Sequence, residues 1–359
     1  MNFGSDNQSW VAEPVMAAMQ EANQGFNHGY SDDPWTHNAE ALLREVFDCD
    51  LKAYFVATGT AANSLALSSL VQPWQTVLCH KNAHVFLDES TAPEFFTGGA
   101  RLTPLPDNGK IAADSLRSSL DTSEFDVPHN PKPGALSITQ SSEIGLAYTP
   151  DEVAALSAVC KAHGLRLHMD GARFSNALVA NSCSAAELTW KAGVDVLCLG
   201  ATKCGALCAE AVIFFDPTLA EGFAHRRKRS GHLVSKGRLF GAQFCGWLKN
   251  DSWLQLAAHA NQQANKLAEG LKQLPGNVVQ AEWPVQANQL FVTLPKGLAQ
   301  ELRNKGAEFY DWYPSALPSG RTLGPDEAYI RLVTSFATQD SHVSEFLACA
   351  NTYLSKAGS

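Results

Sequence analysis

Residues 165–203 constrain the fold more than any other stretch of the chain. In Leu165-Arg-Leu-His-Met-Asp-Gly-Ala-Arg173, Arg166 and His168 alternate with Leu165, Leu167 and Met169, a period of two that predicts a strand ended by Asp170-Gly171. Val194–Leu199 is a continuous apolar run, β-branched at its start, as expected of a strand buried on both faces. Ser184–Ala192 between them is helix-like. The unit predicts β-α-β and puts Asp170, Arg173 and Lys203 near the carboxyl ends of parallel strands. In open α/β sheets ligands bind at that edge.

Length and charge bound the rest. A chain of 359 residues exceeds one average domain, which predicts one large or two moderate domains. Hydrophobic content of 45% and charged content of 18% are those of a globular protein. A net charge of −9 argues against nucleic acid or an anionic membrane as partner. Met1-Asn-Phe-Gly-Ser-Asp-Asn lacks the basic region and apolar core of a signal peptide. No run approaches the ~20 apolar residues of a membrane span. Nine cysteines, odd in number and irregularly spaced, fit a reduced cytoplasm better than a disulfide framework. Cys204 and Cys208 have no second Cys/His pair of zinc-site spacing, which leaves core packing as their role and no metal site.

Other motifs carry chemistry. Ala53-Tyr-Phe-Val-Ala-Thr58-Gly59-Thr60-Ala-Ala-Asn63 predicts a strand, a glycine turn and a helix start. Backbone N–H groups at the head of such a helix, with the Thr60 hydroxyl, suit a phosphate, although threonine there also serves as a plain cap. Neither a dinucleotide glycine fingerprint nor a Walker loop occurs, which argues against a nicotinamide oxidoreductase. Ser5-Asp6-Asn7 can cap the helical pattern Val11–Ala22, and Thr149-Pro150 opens a helix that runs to His163 and is closed by Gly164. Ser115–Pro133 predicts a helix followed by a proline-rich loop. The basic run His225–Arg238, in an acidic chain, suits a small phosphate. From about Asp251 the character changes: helix Trp253–Leu274, strand Gln289–Leu294, helix Gly297–Lys305, strand Tyr329–Val333 and helix Asp340–Tyr353. Arg331, centred in the apolar Tyr329–Val333, is costly unless paired, by a ligand or by an internal salt bridge.

Asp170-Gly-Ala-Arg173 followed by Thr202-Lys203, with the Thr58–Asn63 turn, resembles the threonine aldolases of the β-eliminating lyase family, fold-type-I pyridoxal 5'-phosphate enzymes. The resemblance implies an α/β, transferase-like fold: a mostly parallel, seven-stranded sheet in a large cofactor domain (1–250, with an amino-terminal arm) and a small α+β domain (251–359). It implies cleavage of L-threonine, L-allo-threonine or relatives such as L-phenylserine to glycine and an aldehyde. The alternative is another reaction of this cofactor, β-elimination or transamination. By the resemblance Lys203 forms the Schiff base, Asp170 keeps the pyridine nitrogen protonated, and Gly59, Thr60 and Thr202 bind the cofactor. His84 stacks on the cofactor ring and helps take the substrate hydroxyl proton, Glu89 steadies it, and His129 stands where the family often has a second histidine. Arg173 contacts the cofactor or the substrate carboxylate, which Ser5 and Arg331 also grip, and Tyr30, in Gly29-Tyr-Ser-Asp-Asp-Pro34, lies near the substrate. Lys236, with Arg227 and Arg238 as alternatives, reaches the cofactor phosphate of a neighbouring subunit in a homodimer or homotetramer. Ser141-Ser-Glu-Ile-Gly145 departs from the family's Glu-Asn-Thr-His pattern, which leaves side-chain preference open.

Overall fold

The computed structural model describes residues 1–121 and 127–357. Seven strands form the larger sheet: β1 (Lys52–Val56), β2 (Gln75–His80), β3 (Arg101–Leu105), β4 (Lys132–Thr139), β5 (Arg166–Gly171), β6 (Val196–Gly200) and β7 (Glu210–Phe214). Their order is β1-β7-β6-β5-β4-β2-β3, parallel except for β7, which is antiparallel to both β1 and β6. Six strands therefore end at one edge, and there β7 begins.

Burial explains the strand sequences. Every residue of β6 and β7 is buried, as continuous apolar runs require. In β5 only Arg166 is exposed. His168 does not face solvent as an alternating pattern suggests. It is fully buried between Ser137 Oγ (2.9 Å from Nδ1) and Cys198 Sγ (3.2 Å from Nε2), and burial pushes it down to about 4.

The connection from β5 to β6 also differs from expectation. Its main helix is Phe174–Asn181, ahead of the expected segment, which holds only a single turn, Ala185–Leu188, and a 3-10 turn, Trp190–Ala192. The helix Pro150–Ala162 is opened by a reciprocal Thr149/Glu152 cap and followed by Gly164 at φ +71°. The helix expected after Ser115 spans Ala113–Asp121, and residues 122–126 of the following loop lie outside the described residues.

The second sheet is antiparallel: β8 (Gln280–Ala281), β9 (Gln289–Pro295), β10 (Tyr310–Asp311) and β11 (Glu327–Val333), in the order β10-β11-β9-β8. Helices Ser252–Lys272, Lys296–Asn304 and Asp340–Ala357 accompany it. The amino terminus joins it: Phe3 N–H donates to the Glu308 carbonyl (2.8 Å), and Val333 N–H donates to the Phe3 carbonyl (2.9 Å). Phe3, fully buried against Phe346, anchors this segment and delivers Ser5 and Asp6 to the carboxyl edge of the larger sheet.

Candidate active site

Asp170, at the end of β5, is 4% exposed. Its Oδ2 accepts from Asn63 Nδ2 (2.9 Å) and its Oδ1 from Ala172 N–H (3.0 Å). The same Asn63 amide donates to Glu89 Oε1 (2.9 Å), which also meets His84 Nδ1 (2.8 Å). A continuous chain thus runs from Asp170 through Asn63 and Glu89 to a half-exposed imidazole. The hydrogen bond to Glu89 outweighs burial and holds His84 above its ordinary value. From the other side, Glu143 Oε1 accepts both His84 N–H (2.8 Å) and the Thr139 hydroxyl (2.8 Å), and burial raises its carboxyl.

Lys203 lies in the turn Thr202–Cys204 that follows β6, and among the described residues its Nζ has no hydrogen-bond acceptor. Burial, then the Arg173 charge, lowers its amine, while Asp6, Asp170 and Glu210 act in the opposite direction. Thr202 Oγ1 donates to Glu210 Oε1 (2.5 Å) and accepts from Ala209 N–H (3.2 Å).

Arg173 is gripped at two points by Asp6, Nε to Oδ2 at 2.7 Å and Nη2 to Oδ1 at 2.9 Å. Its Nη1 has no acceptor among the described residues. Asn288 Nδ2 adds a third bond to Asp6 (3.0 Å to Oδ2). Ser5 Oγ accepts from Asn7 N–H (3.2 Å), so it also serves as a cap. Arg331 has no carboxylate at ion-pairing distance among the described residues. Its Nη2 reaches the Gly4 carbonyl (3.2 Å), its guanidinium lies over Trp312 (4.4 Å), and its Nε is buried without a partner. Burial, reinforced by Arg173, brings it down to about 10.

At the end of β1 the helix Gly59–Leu70 starts. Thr58, not Thr60, is its cap, with Oγ1 accepting from Ala61 N–H at 3.1 Å. The N–H groups of Gly59 and Thr60 have no protein acceptor among the described residues, and a side chain at Gly59 would meet nothing within 4 Å. Open space bounded by unused donors at a helix head suits an anion.

Residues 2–295 match the beta-eliminating lyase family. The chain belongs to that family. It is 44% identical over 347 residues to the low specificity L-threonine aldolase of a Pseudomonas species, covering 96% of each chain. It is 46% identical over 309 residues to the low specificity L-threonine aldolase of Pseudomonas aeruginosa, covering 86% of this chain and 88% of that one. The structure of Leishmania major threonine aldolase superposes with a TM-score of 0.89 at 29% identity, over 98% of this chain and 99% of the other. Serine palmitoyltransferase of Sphingomonas wittichii shares the fold alone, with a TM-score of 0.70 at 16% identity over 100% of this chain and 88% of that one. The architecture is the fold-type-I, mostly parallel α/β arrangement expected from the sequence.

Within this family frame, the expected residues fall into two groups. Asp170, Arg173, Thr202, Lys203, His84, Glu89, Gly59, Thr60, Ser5 and Arg331 stand on segments that converge at the carboxyl edge of the larger sheet. His129 does not join them within one chain. It is exposed, in a turn before the amino end of β4, and β4 is about 23 Å long at ~3.3 Å per residue. Lys236 is exposed. From the same basic run His232 reaches the residue before Thr58, its Nδ1 accepting from Ala57 N–H at 3.5 Å. Arg227 is spent on Ser31 Oγ (2.8 Å) and the His232 carbonyl (3.3 Å), and Arg238 on the Gly25 carbonyl (3.2 Å). Tyr30 is exposed, with Lys228 over its ring at 5.1 Å.

Sequence reasoning gave no role to Asp6 in binding Arg173, or to Asn63, Glu143 and Glu210. Asn63 carried a signal, lying one helical turn after Gly59 on the face that ends at the turn. Glu210 carried another, as a lone charge opening an apolar strand. Among the described residues no cluster of three metal-ligating side chains occurs, and no helix is long and apolar enough to cross a membrane.

Proposed function

We propose that this protein is a pyridoxal-phosphate-dependent carbon–carbon lyase that cleaves L-threonine, L-allo-threonine and related β-hydroxy-α-amino acids such as L-phenylserine to glycine and an aldehyde. The observation that carries the reading is one amine and one carboxylate in opposed electrostatic settings. Lys203 is held toward its neutral, nucleophilic form, and Asp170 is fixed by two donors within reach of its field. Two Pseudomonas relatives named low specificity L-threonine aldolase, above 40% identical over most of the chain, supply the reaction class.

The residues present fit the cofactor: unused N–H donors at Gly59 and Thr60 for a phosphate, Asp170 for a cationic ring nitrogen, and a free amine at Lys203. When bound, it supplies an aldehyde for that amine and a ring that accepts the electron pair freed by carbon–carbon cleavage. Asp170 holds the proton on the ring nitrogen, and Asn63 keeps its carboxylate in place. The Arg331 guanidinium, with no carboxylate partner among the described residues, and the free Nη1 of Arg173 take the substrate carboxylate, with Ser5 beside them. His84 takes the β-hydroxyl proton, and Glu89 orients its ring and stabilises the imidazolium. His129 and Lys236 belong to this scheme only as residues of a neighbouring subunit in a homodimer or homotetramer. The exposed apolar Phe86, Leu87 and Phe95, close after His84, favour such an assembly. Nine free cysteines favour a cytoplasmic location.

Lys203→Ala tests the assignment. The variant should lose the visible imine absorbance of the holoenzyme and the release of acetaldehyde and glycine from threonine. Retention of both would reject it.

A further inference from the structure

Because β7 alone runs against its neighbours, its first residue arrives where the other strands end. Glu210 is registered between Val56 and Gly200. Gly200 makes room for it, since a Cβ there would stand 2.9 Å from Glu210 Oε2. Glu210 is 7% exposed, and its carboxyl group has no cation at ion-pairing distance among the described residues. Its side-chain partner is the Thr202 hydroxyl, at 2.5 Å. An anion buried this way is costly, so the site must either neutralise it or balance it against a nearby positive charge. The charged and titratable groups facing it are Lys203 after β6, Asp170 at the end of β5, the Cys198 thiol on β6 and the Cys208 thiol just before β7. Lys203 in turn faces Arg173, Asp6 and Asp170 as well as Glu210. None of the roles argued above uses this carboxyl group.

We propose that Glu210 is a positioning residue for the reaction that acts through Lys203, its carboxyl setting the charge on the lysine nitrogen. The inference rests on Lys203 being the imine-forming residue. An anionic Glu210 favours the cationic nitrogen, and a protonated one favours the neutral nitrogen. Burial, partly offset by the Thr202 hydrogen bond and the lysine, pushes Glu210 up to about 7, so the charge it presents to Lys203 changes near neutral pH. Thr202, next to Lys203 in the chain, fixes the carboxyl group against the same turn.

Glu210→Gln keeps the size and the acceptor for Thr202 and removes the charge. In the full-length holoenzyme the pH midpoint of the imine absorbance should fall by about one unit, and Glu210→Asp should bring it back toward the wild type. Glu210→Ala, the second charge-free variant should the glutamine not fold, should show the same fall. The apoprotein gives an independent readout. A carboxyl group raised from 4.5 to about 7 in the folded state costs stability progressively as pH rises through that window. The glutamine variant escapes this, so its denaturation midpoint should gain on the wild type from pH 5 to 7 and then level off. An unshifted imine midpoint in a folded charge-free variant, or stability curves parallel to the wild type, overturns the proposal. Failure of the underlying assignment looks different: Lys203→Ala would keep the imine absorbance.

Discussion

Asp6 and Arg173, 167 residues apart in sequence, are joined by two hydrogen bonds of 2.7 and 2.9 Å. Burial alone would raise the Asp6 carboxyl, but the guanidinium overrides it and holds Asp6 below its ordinary range. With Asn288 on the same carboxylate, the pair ties the amino-terminal segment, the turn after β5 and the segment before β9 into one polar junction. Arg173 is thereby placed with one nitrogen left for a ligand.

Breaking this pair strands a cation whose side chain is only 11% exposed. Asp6→Ala should therefore cost about 3–5 kcal/mol in urea denaturation at pH 7. The pH dependence has a definite sign. A depressed carboxyl contributes its stability above the unfolded value of 3.8 and loses it as pH falls through the folded one. The gap between wild type and variant should be full at neutral pH and close below about pH 3.8. A gap that persists undiminished into acid would show that Asp6 acts by shape and not by charge.

These long-range partnerships mark where sequence reasoning stops. Asp170 and Lys203 were legible because each closes an apolar strand, and strand ends in a parallel sheet fall on one edge. Asp6 on Arg173, or Asn63 on Asp170 across 107 residues, leaves no local pattern. The helix Phe174–Asn181 was missed for another reason. Its first five residues are all buried, so it shows no polar stripe from which a period could be read. Arg331 was singled out by the family resemblance and supported by the cost of a charge in an apolar strand, and that same cost argument applied to β7 points to Glu210.

His84 and Glu89 make a second prediction. The hydrogen bond at 2.8 Å is the first cause of the raised imidazole, and burial opposes it. Glu89→Gln should let the ring fall back, moving the acid limb of kcat/KM down by about one pH unit. A weaker base should also lower kcat by about tenfold at the plateau. Glu89→Asp, which restores the charge, should recover part of both. An acid limb that stays put in the glutamine variant would remove His84 as the group that titrates in the reaction.

Arg331 separates binding from structure most cleanly. If its guanidinium takes a substrate carboxylate, Arg331→Leu removes charge-assisted hydrogen bonds of about 1.5–3 kcal/mol. KM for threonine should then rise by about ten- to a hundredfold, with a smaller change in kcat. Stability should move the other way. The variant deletes a half-buried cation with no carboxylate partner among the described residues, and an apolar side chain suits a strand whose neighbouring residues are buried. Loss of the stacking on Trp312 and of the bond to the Gly4 carbonyl offsets part of that gain, so the denaturation midpoint should be unchanged or higher. Arg331→Lys, which keeps the charge without the planar fork, should give an intermediate KM. A leucine variant with wild-type KM and a clearly lower midpoint would assign Arg331 to the framework and leave the carboxylate to Arg173 and Ser5.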